Sequence, residues 1–413
     1  MSDGLVKMLL SKVGELEKRE SSQLLIEDAA YSWWCSPQAL RYKGLRDKTY
    51  ITYVDSIGQQ CVSAVDHSSL QVEKSVLSHF EADDHNAPSI AFLQSGRPIV
   101  AYVRHQMDNK IRVRIGNKRE SIMDLGEEFE LTSSSFVTYS QIFRYQSTVM
   151  IFFRTNTRWA VFYSDDNGEN WSDEKILLES GEQYYIKCTQ NPSSPWIVRL
   201  AMTSHPTLAN SHNIYVGTVN LDTKNIRTLT GTDLGNLETS SNLPLAPNSF
   251  QLAYNSEGTS KTTRLLDLGS TDTIQFAYCT WNIEEGHESA MYYVARWSAN
   301  SQAFNHEAIV APGKPIDHGS GSTMYFGGVH FISGGDYDIL VSREENGAYI
   351  IEKRSKSGGS WRVTELARDN NYKLYRPVSP VNASEKLLAF WLRGRYASYL
   401  DYTSDILNFN FNY

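Results

Sequence analysis

Histidines stand at both open ends of one predicted hairpin. The stretch is DDHNAPSIAFLQSGRPIVAYVRH, residues 83–105. Ile90 and Phe92, then Ile99, Ala101 and Val103, alternate with other residues, and Gln94-Ser95-Gly96-Arg97 supplies the turn. His85 precedes the first strand and His105 ends the second, so both lie at the end away from the turn. Two such ends share one rim. Imidazole changes charge near neutral pH, so a pair of them on one rim is an arrangement for moving protons. The local alternative for His85 is a turn cap beside Asp83 and Asp84.

The elements that must position this pair read as strands. After residue 26, short alternating runs recur between clusters of Gly, Asn, Asp and Ser; YITYVDSIG, VMIFFRTN, NIYVGTVN, MYYVARWS, YDILVSREENG and LLAFWLRG are examples. No long helical pattern interrupts them. Regularly spaced strands with turn punctuation predict a sandwich, barrel or propeller. Nearly 390 residues exceed one sandwich, and a repeat of about 50 residues divides them into seven or eight blades. Residues 4–19 differ: Val6, Leu9, Val13 and Leu16 fall at 3-4-3 spacing, which predicts a short helix that packs on the main body or, as the alternative, serves as a handle for self-association. The expected organisation is a helical segment over residues 1–26 and a propeller over residues 27–413.

The chain has 413 residues, a formal net charge of −8, 24 Tyr and 9 Trp. An acidic balance argues against nucleic acid as partner, because phosphate binding wants a basic surface. A local basic cleft for an anionic sugar is compatible with it, and aromatic rings suit sugar stacking. The four cysteines, Cys35, Cys61, Cys188 and Cys279, form no CxxC pair and no disulfide framework. No apolar run reaches transmembrane length. The first twenty residues show no secretory signal.

One repeat device is sharp. SDDNGENW, residues 164–171, fits S-x-D-x-G-x-x-W through Ser164, Asp166, Gly168 and Trp171, the Asp-box of sialidase-like propellers. It is a fold element, with the Asp bonding the turn backbone and Gly supplying a permissive φ. A degenerate copy is SKSGGSW, residues 355–361.

In its order of motifs the chain resembles the BNR-4 group of propellers, which includes the ulvan lyases. The resemblance runs from YVDSIG (53–58) through DDHN, TYSQIFRYQSTVMIFFR (138–154), the box, YYIKC (184–188), SHP (204–206), GHESAMYYVARW (286–297) and YFGGVHF (325–331) to LYRPVSP (374–380) and FWLRGRYASYLDY (390–402). It implies an all-β, seven-bladed β-propeller carrying a short N-terminal helix. It also implies a polysaccharide lyase that cleaves a uronate-containing, ulvan-like glycan by β-elimination, without a cofactor. Such a reaction removes a weakly acidic proton beside a carboxylate, so it needs that carboxylate neutralised, a base at C5 and an acid at the leaving oxygen.

The resemblance assigns this chemistry to His85, His105, Tyr139 and Arg154. The two histidines are expected to neutralise the carboxylate or pass protons. Tyr139 is expected as base and acid, its pKa lowered by Arg154, which also holds the carboxylate. Asn86, Arg158, Tyr185 and His205 are expected to bind substrate. The plain alternatives are a strand tyrosine for Tyr139 and a surface cation for Arg154, with Arg144 and Arg158 as rivals. A structural zinc is implied more weakly, with His205, Cys279 and His287 as ligands; their spacing is equally that of buried thiols and core histidines. The family's T-Y-P-N-P is T-Y-S-Q-I here. The activity implies an extracellular protein and an anionic polysaccharide as partner. The competing functions are a sialidase-like glycoside hydrolase and a glycan-binding propeller without catalysis.

Overall fold

The computed structural model describes residues 22–205, 212–317 and 324–409. Its strands form seven antiparallel sheets that follow one another along the chain, a seven-bladed β-propeller. In blade 2 the strands are Ser89–Phe92, Pro98–Tyr102, Lys110–Ile115 and Phe129–Thr132; in blade 3 they are Val137–Tyr145, Thr148–Thr155, Arg158–Ser164 and Lys175–Glu179. Blades 1, 5 and 6 repeat this four-strand plan, with first strands Ala39–Lys43, Lys261–Leu268 and Gly328–Phe331. Blade 4 begins at Tyr184–Asn191 and carries two additional strands at its outer side.

Blade 7 closes the ring. Lys373–Val378, Phe390–Ser398 and Asp401–Phe409 are completed by Ser22–Ile26, which pairs antiparallel with Asp401–Phe409. Residues 22–26 are therefore a strand of the propeller, which corrects the expected helical segment over 1–26. The helix expected at residues 4–19 lies outside the described residues. Ile26 explains the choice: its side chain is buried in the main core, and an unpaired edge along Asp401–Phe409 would leave backbone groups without partners.

Each blade buries both faces between its neighbours. The opening hairpin forms as the alternation predicts, with Ile90 opposite Val100 and Gly96 at φ +79° in the turn. Ile90, Phe92 and Val100 face blade 1, against Tyr50 and Val62. Ile99, Ala101 and Val103 face blade 3, against Val137, Ile142 and Ile151. The apolar letters thus serve two interfaces, and blade follows blade by burying both sides of one sheet.

In the turn over residues 164–171, Ser164 Oγ donates to Asp166 Oδ1 at 2.7 Å and accepts from Gly168 N at 2.9 Å, Asp166 accepts from Asn170 N at 2.8 Å, and Trp171 Nε1 donates to Gly168 O at 3.0 Å. The turn joins the third and fourth strands of blade 3. SKSGGSW occupies the same place in blade 6, where Gly358 and Gly359, at φ +58° and +87°, make a two-residue turn instead.

The first strands of most successive blades touch side by side around the axis. The segment from Ala29 to Pro37 fills that axis. Tyr31 Oη donates to Arg376 O at 2.8 Å, Lys187 Nζ donates to Trp33 O at 2.6 Å and Ser36 Oγ donates to Cys188 O at 3.2 Å, which ties it to blades 4 and 7. All four cysteines are buried and unbridged. No helix among the described residues is long and apolar enough to cross a membrane.

Removing residues 1–26 is expected to destabilise the ring by at least the ~1.5–3 kcal/mol of one buried Ile side chain. Equilibrium urea unfolding of the truncated and full chains measures the difference, and equal midpoints would contradict closure by Ser22–Ile26.

Candidate functional site

Two short turns, the start of one strand and the end of the next converge at one end of the axis. The 3-10 turn Asp84–Asn86 leads into blade 2, and its preceding residue Asp83 accepts a hydrogen bond from His85 N. His105 follows the second strand of the same blade. Its backbone N donates to Asn86 Oδ1 at 2.6 Å, so the two ends are tied together. The imidazoles of His85 and His105 stack at 4.3 Å with an interplanar angle of 11°.

One carboxylate serves both rings. His85 Nδ1 donates to Asp83 Oδ1 at 2.8 Å, and His105 Nδ1 donates to Asp83 Oδ2 at 2.7 Å. An ionised carboxylate only accepts, so each Nδ1 carries a proton and each ring keeps Nε2 outside this pairing. The side chains are 14% and 16% exposed, enough to be reached from the cleft.

A second carboxylate separates the two histidines in charge. Asp84 Oδ1 lies 3.0 Å from His85 Nδ1, while its Oδ2 accepts from Arg376 Nη1 at 2.6 Å and from Tyr396 Oη at 2.8 Å. Burial works against a charge on His85, but Asp83 and Asp84 outweigh it and raise its pKa to about 10. His105 moves the other way: burial lowers its pKa and the neighbouring His85 cation lowers it further, against the raising effect of Asp83. At neutral pH His85 is an imidazolium and His105 a neutral base.

Tyr139 and Arg154 stand beside this pair. The Tyr139 ring lies 5.4 Å from His85 and the Arg154 guanidinium lies 5.0 Å from the Tyr139 ring and 5.5 Å from Tyr185. Tyr139 has φ +60°, and the ladder with Thr148–Thr155 breaks register between Thr138 and Gln141. This bulge turns the side chain toward the axis, as bulges beside sites commonly do. The expectation of a lowered Tyr139 pKa is overturned. The ring is fully buried, burial and Tyr185 push its pKa well above the usual phenol value, and Arg154 only partly opposes them. Tyr139 is therefore a protonated donor, not a ready base.

Arg154 is 2% exposed, and neither its Nε nor its Nη1 has a hydrogen-bond partner. Arg264, on the first strand of blade 5, is 4% exposed and lacks a partner at all three guanidinium nitrogens. Its Cζ lies 3.6 Å from the Tyr325 ring centre. Tyr399 stands edge-on to both imidazoles, at 4.8 and 5.7 Å.

The remaining expected residues divide. Tyr185 joins the group, stacked on Trp34 at 4.6 Å, and His205 lies 5.5 Å from its ring with a pKa lowered to about 4 by burial and by Arg264 and Arg154. Asn86 does not face a ligand: it is wholly buried, holding His105 N and donating to Glu81 Oε1 at 3.1 Å. Arg158 reaches only Ser134 at 3.5 Å and Glu179 at 4.0 Å, apart from the histidines. The three suggested zinc ligands are not brought together. Cys279 is packed in the core between blades 5 and 6, and His287 sits in the turn Gly286–Ser289 paired with Glu288 at 3.2 Å. Among the described residues only Asp83, His85 and His105 gather close enough to share an ion, and there both Nδ1 atoms are already spent on Asp83. A groove of about 470 Å³ lies at the opposite ends of blades 1–4, lined by Tyr42, Phe92 and Arg144, and contains none of these side chains.

Sequence reasoning missed Arg264, Tyr325 and Tyr399 as site residues, and placed Asp84 only as a turn cap. TTRLLDL offers no signal for Arg264; a tyrosine-rich RYASYLDY beside a predicted strand end was the available cue for Tyr399.

A seven-bladed propeller with two imidazoles, buried guanidiniums and phenols at one axial end defines a class of protein before any comparison. The chain belongs to the family described as BNR repeat-containing family member, whose model matches residues 48–310. Among solved structures it is similar to a PL25 ulvan lyase, with 12% identity, a TM-score of 0.70, and coverage of 94% of this chain and 96% of that one. The same lyase has been solved bound to -[GlcA(1-4)Rha3S]- with equal similarity. The polysaccharide lyase Uly1 is similar with 10% identity and a TM-score of 0.59, over 95% of this chain and 98% of that one. A search of the curated proteins finds no match. These likenesses establish the shared propeller.

Asp84→Asn is expected to lower the His85 pKa. The folded value of about 10 lies above the free imidazole value, so the pairing stabilises fully below about pH 6.5 and is lost as pH rises toward 10. Unfolding free energy measured from pH 6 to 10 therefore falls less steeply in the variant than in the parent. Arg376→Met, which strands the buried Asp84 carboxylate, is expected to cost about 3–5 kcal/mol at pH 7.

Proposed function

We propose that the protein is a polysaccharide lyase that cleaves a uronate-containing glycan by β-elimination at this axial site. The observation that carries the reading is the Asp83 carboxylate shared by two stacked imidazoles of opposite protonation, beside a buried guanidinium whose Nε and Nη1 have no hydrogen-bond partner. The likeness to ulvan lyases supports it at the level of the fold.

The roles follow from the charges. Arg154 and the His85 imidazolium take the uronate carboxylate, because both are cations with free donors, and they stabilise the charge that develops on it when C5 loses its proton. His105 Nε2 is neutral and removes that proton. The C5–H electron pair forms the C4–C5 double bond as the C4–O bond breaks. Tyr139, held protonated by burial, gives its proton to the leaving oxygen and recovers one from His105 afterwards. Tyr185 and Tyr399 flank the sugar with ring faces and edges. The chemistry uses the chain's own side chains and requires no cofactor.

The test is ultraviolet absorbance of uronate polysaccharides, ulvan first, incubated with the protein. A conjugated unsaturated uronate absorbs where the substrate does not. The parent is expected to raise the absorbance, and His105→Ala and Tyr139→Phe to slow the rise about 10²- to 10⁴-fold. New reducing ends without absorbance would mean hydrolysis, and binding without cleavage would mean a glycan-binding propeller. The pH profile of kcat/KM is a second check. Activity should fall at low pH as His105 protonates and fall again as pH approaches the His85 value of about 10. A profile that rises steadily through pH 10 would instead point to Tyr139 as the base.

A further inference from the structure

The end of the axis opposite the imidazoles carries a cleft of its own. It is the groove of about 470 Å³ between the first strands of blades 1–4, a volume within the range of small-ligand sites. Ser36 and Pro37 of the axial segment line it, and no side chain of the imidazole site does. Aromatic rings mark its walls. Tyr42 stacks on Phe92 at 4.1 Å, and Tyr145 meets Trp196 edge-on at 5.9 Å. Trp196 follows the lining residue Pro195 and is 39% exposed, so the aromatic surface continues outward from the groove.

The cations on this rim exceed the acids available to them. Arg144 is half-buried, and its Nε and Nη1 donate only to neutral carbonyls, Phe92 O at 2.8 Å and Gln146 O at 3.4 Å. Burial lowers its pKa, and Tyr42 alone acts against that shift. Arg119 Nε and Tyr42 Oη converge on Gly96, each 3.0 Å from where a β-carbon would stand. Among the described residues neither Arg144 nor Arg119 pairs with a carboxylate. The nearby acids are already used. Asp47 takes Arg41 through two bonds of 2.7 Å, and Glu120 accepts from Leu45 N and Arg46 N at 2.6 and 2.9 Å. The inner strand edges are closed as well. Arg41 N donates to Val381 O and Val381 N to Ala39 O, both at 2.9 Å, and Ile142 N donates to Ser36 O at 3.0 Å. At these positions an extended peptide finds no free ladder. What is left is ring surface beside guanidinium forks. Rings cover the C–H faces of a pyranose, and a planar fork takes a carboxylate through two parallel hydrogen bonds.

We infer that this groove is a second, non-catalytic binding site for an acidic glycan, with Arg144 and Arg119 on its carboxylates and Tyr42, Tyr145 and Trp196 along its sugars. It holds a stretch of polymer separate from any in the imidazole site and anchors the protein without taking part in cleavage. No residue of the imidazole site is used, so the inference shares with the lyase reading only the class of ligand.

The test is titration calorimetry of the full chain in a His105→Ala background, which prevents turnover. The probes are an oligoglucuronate hexasaccharide, its carboxyl-reduced neutral form, and a glutamate hexapeptide. The hexasaccharide is expected to bind at both ends of the axis. Arg144→Gln should weaken one site about 10- to 100-fold and Arg154→Gln the other. Arg119→Gln, at an exposed residue, should weaken the same site as Arg144→Gln, which keeps the test open if the latter fails to fold. The neutral form should bind the groove about 10-fold or more weakly than the hexasaccharide. An isotherm changed by neither Arg144→Gln nor Arg119→Gln overturns the inference. Peptide binding that equals that of the hexasaccharide and is lost in the same variants overturns it too, because the groove would then take a protein partner. In turnover with His105 restored, Arg144→Gln should raise KM for long polymer about 3- to 10-fold and change kcat/KM for a tetrasaccharide less than about 2-fold. Equal losses on both substrates would contradict a non-catalytic site. If no unsaturated product forms and Arg154→Gln leaves binding unchanged while Arg144→Gln still removes a site, the lyase reading fails and the groove site stands. If only Arg154→Gln weakens binding, the groove site falls and the lyase reading is untouched.

Discussion

The buried carboxylate of Asp84 is the point on which the axial end of the molecule depends. It lies between His85 of blade 2 and Arg376 of blade 7, and the same guanidinium donates to the carbonyl of Tyr31 in the axial segment. Tyr396 adds a hydroxyl donor from the second strand of blade 7. One anion thus holds two blades and the plug between them. Asp84 and Arg376 are almost wholly removed from water, so neither can lose the other without leaving a bare charge. This fixes the ring closure and the position of His85 together.

The charges near the axis balance in a particular way. Asp83 and Asp84 are offset by Arg376 and His85, and a third positive charge on His105 would exceed them. Burial is the main cause of the lowered pKa of His105, with the His85 cation adding to it, while the two carboxylates raise that of His85 against burial. Arg154 and Arg264 remain outside the balanced set, each buried and short of acceptors. The protein as a whole carries a charge of −8, so this cationic spot is local. A water-excluding pocket with an uncompensated positive charge is a receptor for an anion, and the phenols and imidazoles around it handle protons rather than electrons.

Much of the architecture was legible in the residues. Alternating runs with turn punctuation reported strands, and the His85–His105 hairpin placed both imidazoles at one rim because a hairpin returns on itself. Local pattern did not show what happens at Tyr139 and Arg376. Both are non-glycine residues at positive φ, +60° and +49°, and both sit where the first strand of a blade breaks register with the second. No propensity favours that conformation for a bulky side chain; the packing of neighbouring blades imposes it. The same packing buries Tyr139 and so reverses the direction of its expected pKa shift. Asn86 was expected at the sugar or as an orienter of His85, and is instead consumed in positioning His105.

The sequence by itself determined the strand period, the repeated turns, the hairpin that pairs His85 with His105, and the order of motifs that identifies the family. These depend on near neighbours in the chain, within one or two strands. Only the tertiary structure decided which charges survive unpaired. Arg376 is 292 residues from Asp84, and Arg264 meets Tyr325 from a different blade. Protonation states and free donors depend on burial and on every group that approaches across the axis, and those approaches exist only once seven blades have closed into a ring.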